Sequence, residues 1–471
     1  MKRLLACLIL VIGVAPAAAQ DKPQPTKLTL RPAAEPTPAL KYLLLPDLSE
    51  QTPGNAVPLY YRAFSPDWWG NLRTREMSEK VDNATRAPLA QLKDSELRFL
   101  LDYSALREVD RAARREYCDW DMPQRLREQG IGLLLPDVQA MRMFATFLAA
   151  RARLEIAEGQ LDKAIYTLRT GFALARHVSD GPTLIQALVG NAIAAVMMTQ
   201  LEELLQQPGA PNLYWALTDL PRPFIDLRKA IQGEKLWLHG TFPELRGLDS
   251  HSSHLSPDQR EQLQKVAEKI MAGLLGQRQE SSPGARLVTI ARVASAYPEA
   301  KRALIAAGYK LEEVEAMPAV QVVLLESLRD YDRLRDEQAK WMALPYPEAR
   351  AGLERAQKAI SDCSTVREGI PLARTLLPQV LKVYDATTRL DRRLAALRCV
   401  EALRLYAAAH DGRLPAALAD VTEVPVPDDP MTGKPFEYKV SGDTATLSAG
   451  PPPGEAATGY NTLAYEITLR K

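Results

Sequence analysis

Cysteine and histidine are scarce in this chain, with four Cys and five His among 471 residues. Four thiols are too few for a disulfide scaffold. No C-x-x-C spacing provides a thioredoxin-like redox pair. No H-E-x-x-H zinc motif, G-x-S-x-G nucleophile elbow, phosphate-binding loop or G-x-G-x-x-G fingerprint is present. Charge of one sign is not in excess either. Lys+Arg is 59 and Asp+Glu is 58, a formal charge of +1. That balance removes the electrostatic basis for nucleic acid as a partner. What is present is an ordinary globular composition, 46% hydrophobic and 25% charged, which argues for a folded, core-forming chain. Proline is plentiful, at 35 residues.

Lys2 and Arg3 precede an apolar run from Leu4 to Val14, and Ala15-Pro16-Ala17-Ala18-Ala19 follows. A charged, then apolar, then small-residue order is that of a secretory signal peptide. The run is shorter than the roughly 20 residues a membrane-spanning helix needs. Cleavage after Ala19 is expected, which makes the mature protein periplasmic or extracellular. Cys7 leaves with the signal. Of the remaining Cys118, Cys363 and Cys399, the last sits among Val400, Leu403 and Tyr406 and reads as a buried thiol. Cys118–Cys363 is then the disulfide candidate in an oxidising compartment.

Residues 20–55 form a proline-rich N-terminal arm, flexible to about Ala39. From 56 to about 410 the pattern is mainly helical. Met141, Ala145, Leu148, Ala152 and Ile156 recur at steps of three and four, the spacing of one helix face. Gly159 interrupts, and Leu161, Ala164, Ile165, Leu168, Phe172 and Ala175 begin a second stripe. Leu184 to Leu201 carries no charge. Gln186, Asn191, Thr199 and Gln200 interrupt it, so it reads as a buried core helix and no membrane span is expected in the mature chain. The organisation expected is a helical domain over 56–240, a loop-rich connection over 241–284 containing a helix at 259–275, a second helical region over 285–384, and a module over 385–471.

Ala157-Glu158-Gly159-Gln160-Leu161-Asp162-Lys163-Ala164-Ile165, with Leu168, resembles the inter-helix turn of a tetratricopeptide repeat over about 141–178. Gly159 and Ala164 stand at the family's small positions. Gly171 stands where the family has alanine. The resemblance implies an irregular stack of helix pairs. Near the C-terminus, Leu405-Tyr406, His410-Asp411-Gly412-Arg413-Leu414-Pro415, Asp429-Pro430 and Gly433-Lys434-Pro435-Phe436-Glu437-Tyr438 occur in order. This series, over about 390–450, resembles the globular half of type II secretion major pseudopilins. It implies a helix against a small antiparallel sheet, with strands at 436–440, 444–448 and 464–469. That family's acidic calcium loop is replaced here by Ala449-Gly450-Pro451-Pro452-Pro453-Gly454. Asp428, Asp429 and Asp443 are accounted for by turn and cap roles, and no metal or cofactor is expected.

Cys118-Asp119-Trp120-Asp121 is the most unusual short cluster. An indole flanked by carboxylates suits a sugar platform with an acid/base pair. Helix capping by the aspartates and core packing by Trp120 suit it equally. Trp68-Trp69 carries the same two readings. His251 and His254, with Asp249, lie in a serine-rich loop and read as exposed loop residues. The fold expected is therefore mainly α, an irregular tetratricopeptide-like array with a small C-terminal α+β pilin-like module. The function expected is an exported helical scaffold or interaction protein of the cell envelope, binding a protein or peptide partner without catalysis. The rivals are an extracellular glycan- or peptide-acting hydrolase using Asp119 and Asp121 beside Trp120, and a secretion-machinery docking protein acting through the pilin-like end.

Overall fold

The computed structural model describes residues 24–65, 74–93, 95–129, 136–248, 255–274, 283–362, 369–377 and 379–470. The expected signal peptide, Trp68, Trp69, Asp249, His251, His254 and Cys363 lie outside the described residues. The chain is mainly α with a small sheet whose last three strands are C-terminal. Strands β1 (Thr26–Leu30) and β2 (Thr52–Asn55) come first. Helices α1 (Val57–Ala63), α2 (Arg75–Ala84) and α3 (Ser104–Ala113) follow, then β3 (Arg115–Tyr117) and α4 (Met122–Gln129). Next come α5 (Pro136–Ala157), α6 (Leu161–Ser179), α7 (Leu184–Leu205), α8 (Tyr214–Thr218) and α9 (Arg228–Thr241). The chain continues through α10 (Pro257–Leu274), α11 (Pro283–Ala306), α12 (Leu311–Ala316), α13 (Ala319–Trp341), α14 (Tyr346–Asp362) and α15 (Leu372–Leu376). It ends with α16 (Val380–Ala409), β4 (Glu437–Ser441), β5 (Thr444–Ala449) and β6 (Leu463–Leu469).

These elements divide into two compact units. The larger holds the described residues up to 120, residues 136–230 and residues 385–470. The module read as separate at 385–471 thus belongs to the same unit as the first helical hairpins. The smaller unit holds residues 121–129 and the described residues of 231–384.

In the larger unit, α5, α6 and α7 follow one another as tightly linked helices. The α5 stripe of Met141, Ala145, Leu148, Ala152 and Ile156 is buried throughout. Gly159 closes its end at φ +74°, a left-handed conformation in which a side chain is strained. The Gln160 amide there donates to the Glu155 carbonyl at 2.8 Å. Thr183 caps α7 by accepting from the Gln186 amide at 3.1 Å. At Gly190 a Cβ would lie 2.6 Å from the Ala175 carbonyl oxygen, so the α6 and α7 backbones come together where only glycine fits. The apolar surface of α7 is largely covered by protein.

The sheet runs β1-β6-β5-β4. β4–β5 and β5–β6 are antiparallel, while β1 pairs with β6 in parallel, Thr26 opposite Tyr465 and Leu30 opposite Leu469. The N-terminal arm expected to be flexible to Ala39 therefore contributes an edge strand at Thr26–Leu30. Alternation explains it: Leu28 and Leu30 are buried and their neighbours face outward. The Thr29 amide on its outer side donates to the Gln206 side chain at 3.1 Å.

Buried arginines tie α16 to its surroundings. Arg404 pairs with Glu401 at 2.8 Å and donates to the backbone carbonyls of Arg31, Ala210 and Pro211. Arg393 forms a two-pronged pair with Glu202 of α7, whose carboxylate also accepts from the Tyr465 hydroxyl of β6.

The smaller unit has its own apolar core. Val322, Leu324, Leu325 and Tyr331 of α13 pack with Val266 and Ile270 of α10, Val293 and Leu304 of α11, and Ile360 of α14. The Trp341 ring lies over Gly352, where a Cβ would meet the indole at 2.1 Å. The 257–274 helix occupies part of the stretch read as loop-rich, one residue or two from its expected bounds.

Candidate functional site

The β2–β3 pair brings Asn55 beside residue 119. The Asn55 side chain accepts from the Asp119 amide at 3.0 Å and donates to its carbonyl at 2.9 Å. That clamp directs Trp120 inward, where it is only 7% exposed. Its ring stacks on Tyr60 of α1, centroids 5.9 Å apart and nearly parallel. Tyr61 meets it edge-on at 6.2 Å. The indole N–H donates to the His177 carbonyl at 3.2 Å. With its faces and its donor engaged by the protein, the ring offers no sugar platform. Asp119 and Asp121 lie on exposed backbone, Asp121 in the left-handed region at φ +53°.

His177 lies beneath this cluster, its Nδ1 2.9 Å from the Tyr60 hydroxyl. Burial, helped by Arg176 and opposed by Asp180, pushes its pKa down to about 4. Its imidazole is therefore held neutral at physiological pH. Cys118 is a free thiol among the described residues, and Cys363, its expected partner, lies outside them. Burial, with Asp180 and Asp119 nearby, pushes that thiol well above its ordinary pKa. A thiol held protonated is a poor nucleophile and a poor metal ligand. Cys399, expected as a buried thiol, is buried and free, and burial pushes its pKa up to about 12.

A second polar cluster lies inside the α3–α5–α6 hairpins. Arg151 clasps Asp110 with two hydrogen bonds of 2.7 and 2.9 Å. Thr170 donates to Asp110 and Thr167 to Glu155, at 2.8 and 2.6 Å. Burial pushes Glu155 up to about 7, against the pull of Arg151 and Thr167. Sequence reading missed this network. Its one signal is that Arg151 and Glu155 sit one turn apart in an otherwise apolar helix face. Fully partnered, it holds three helices in register.

Asp429, beside Asp428 in the C-terminal turn, is committed to donors of the protein itself. Both its carboxylate oxygens accept from the Arg392 guanidinium, and they also accept from the Met431 amide and the Thr432 hydroxyl. A fixed guanidinium at that distance repels a second cation. No group of three potential metal-binding side chains occurs among the described residues.

What the surface does offer is on α11. Leu287, Val288 and Ile290 are 67%, 47% and 46% exposed. With Ala291, Ala294, Pro298 and Ile305 they form one face of the helix, opposite the buried Val293, Ala296, Ala300 and Leu304. The same helix carries Arg286, Arg292, Lys301 and Arg302 against a single acid, Glu299. Lys301 is paired with Glu315 at 2.6 Å. Arg302 has no ion-pair partner among the described residues. The result is an uncovered apolar stripe with basic edges. No sequence motif marks it, since a period of 3.6 residues does not say which face is covered.

No protein-family model, curated protein or solved structure matches this chain.

Proposed function

We propose that the chain is an exported helical scaffold that binds a partner protein through the exposed face of α11. The occupant that suits this face is an amphipathic helix with acidic flanks, its apolar side on Leu287, Ile290 and Ala294 and its acids toward Arg302 and Arg286. The observation that carries the reading is the row of large apolar side chains left in solvent on one helix. Contiguous apolar surface of this kind marks interaction sites in soluble proteins, and helix-on-helix docking is a recurrent way to cover it. Export rests on the order of the first nineteen residues, Lys2 and Arg3 before the apolar run and Ala19 after it.

The finer fold reading goes with it. Gly159 at φ +74° between two apolar-striped helices and the fully buried Ala164 support a tetratricopeptide-like pair within an irregular helical array. The pilin-like reading of the C-terminal end is supported by the left-handed Asp411-Gly412 stop after α16, the Asp429 turn and the β4–β5 hairpin.

A photoreactive residue in place of Ala291, introduced in the full chain in its native cells, tests the function. A discrete cross-linked protein is expected, lost when Leu287→Glu and Ile290→Glu are added. Both positions are exposed, so the melting temperature should move little. A cross-linking pattern unchanged by the two charges would reject the reading.

A further inference from the structure

The sheet of the larger unit has edges of two kinds. On the β1 side, the Thr29 amide is already taken by the Gln206 side chain at the end of α7. On the other side, β4 pairs with β5 alone. Gly442-Asp443 joins these two strands, with Ser441 opposite Thr444. A two-residue turn of this kind is closed by a hydrogen-bonded pair. Ladder bonds then alternate along the antiparallel strands. Ser441, Lys439 and Glu437 therefore bond to β5, while the N–H and C=O groups of Tyr438 and Val440 point away from the sheet. No described residue forms a hydrogen bond with the backbone groups of either residue on that outer side.

An open edge is a template for another strand, and proteins commonly blunt it with a lone charge. β4 carries two charges of opposite sign, Glu437 and Lys439, on the same face of the strand. Both are exposed. Neither forms an ion pair among the described residues. Their partners across the ladder, Ser448 and Thr446, are uncharged. The edge thus presents a short acid–base pattern that its own sheet does not complement.

We infer that β4 pairs antiparallel with β4 of a second copy of this chain, joining two sheets edge to edge. A two-fold axis relates the strands, and charge selects where it falls. Centred on Tyr438, the pairing sets each Glu437 opposite the partner's Lys439, twice by symmetry. Centred on Lys439, it sets the two lysines against each other. Centred on Val440, it sets Glu437 against the partner's Asp443. Opposite charges directly across a ladder stabilise it and like charges destabilise it. The first register is therefore the one formed, with Tyr438 exchanging two backbone hydrogen bonds with the partner's Tyr438. The exposed face of α11 is edged by Arg286, Arg292 and Arg302. It is not self-complementary, so the two surfaces take different partners.

Sedimentation velocity of the mature full-length protein, from micromolar to submillimolar concentration, tests this. A reversible dimer is expected. Glu437→Lys and Lys439→Glu each place like charges across the pairing, and each should weaken the dimer at least tenfold. The double variant swaps the pattern and should restore it. Both positions are exposed, so circular dichroism of the monomers should not change. Val440→Pro removes an N–H on the outer side, which the β5 ladder does not use, and should abolish the dimer. Leu287→Glu with Ile290→Glu should leave it intact. A chain monomeric at every concentration overturns the inference, as does a foreign protein cross-linking at position 439 in place of a second copy. So does a dimer that ignores the single reversals, is not recovered by the swap, or is lost with the charges on α11.

Discussion

Arg392 and Asp429 form a buried, two-pronged ion pair that joins the middle of α16 to the turn before the sheet. The guanidinium donates through Nε at 2.9 Å and Nη2 at 2.7 Å to the two carboxylate oxygens. Its third nitrogen, Nη1, donates to the Asn461 carbonyl at 3.0 Å. Asp429 also builds its own turn, its backbone carbonyl accepting from Gly433 at 2.8 Å. The Asp429-Pro430…Gly433-Lys434 pattern is therefore a structural device, with the carboxylate as its hub.

Removing one partner of this pair leaves the other charge buried and uncompensated. Arg392→Met or Asp429→Leu alone should destabilise the protein by about 3–5 kcal/mol. The double variant should lose much less than the sum, because apolar replacement of a whole buried pair is far less costly than breaking it. Urea unfolding of the four proteins gives the coupling directly. Additive losses would mean that the pair is not the unit of stability here.

Gly171 departs from the alanine of the tetratricopeptide pattern for a reason found on the next helix. A Cβ at this position would sit 2.0 Å from Sδ and 2.6 Å from Cγ of Met197, which is itself buried. Gly171→Ala should therefore cost about 1–3 kcal/mol through overpacking, although alanine has the higher helix propensity. Met197→Ala in the same chain should offset part of that loss by making room. Thermal melts of the single and double variants test this, and a stabilising Gly171→Ala would refute it.

The parts of the fold readable from sequence are those whose determinants are local. The stripe from Met141 to Ile156, the break at Gly159 and the hairpin at Ser441-Gly442-Asp443 each depend on residues within a few positions of one another. β1 does not. Its partner is more than four hundred residues away, and its five residues lie in a stretch whose proline density hides a short alternating strand. Trp120 shows the same limit at the site. Its carboxylate neighbours are visible in the sequence, but Tyr60 and His177, which enclose the ring, are set beside it only by packing.

Asp391 supplies a pH test with a definite sign. It sits on α16, partly buried, where its carboxylate accepts from the Phe224 amide at 2.9 Å. Burial outweighs that bond and pushes its pKa up to about 7 from an ordinary 3.8. The folded state thus binds this proton more tightly than the unfolded chain does. Its contribution to stability is fully present below about pH 4, declines as pH rises toward 7, and is constant above that. Glu155, pushed up to about 7, acts in the same direction. His177, pushed down to about 4, acts in the opposite direction, losing stability as pH falls from about 6.5 to 4. Asp391→Asn retains an oxygen for the Phe224 amide and removes only the Asp391 titration. The variant's stability relative to the natural chain should therefore improve by about 3 kcal/mol between pH 5 and pH 8, at 1.36 kcal/mol per pKa unit over the two units from pH 5 to 7. The absolute offset at pH 5 depends on how well the amide nitrogen is accommodated, so the change in the gap is the quantity to measure. Urea midpoints of both proteins at the two pH values provide it. A gap that stays the same, or narrows with rising pH, would mean that Asp391 is charged in the folded protein throughout this range.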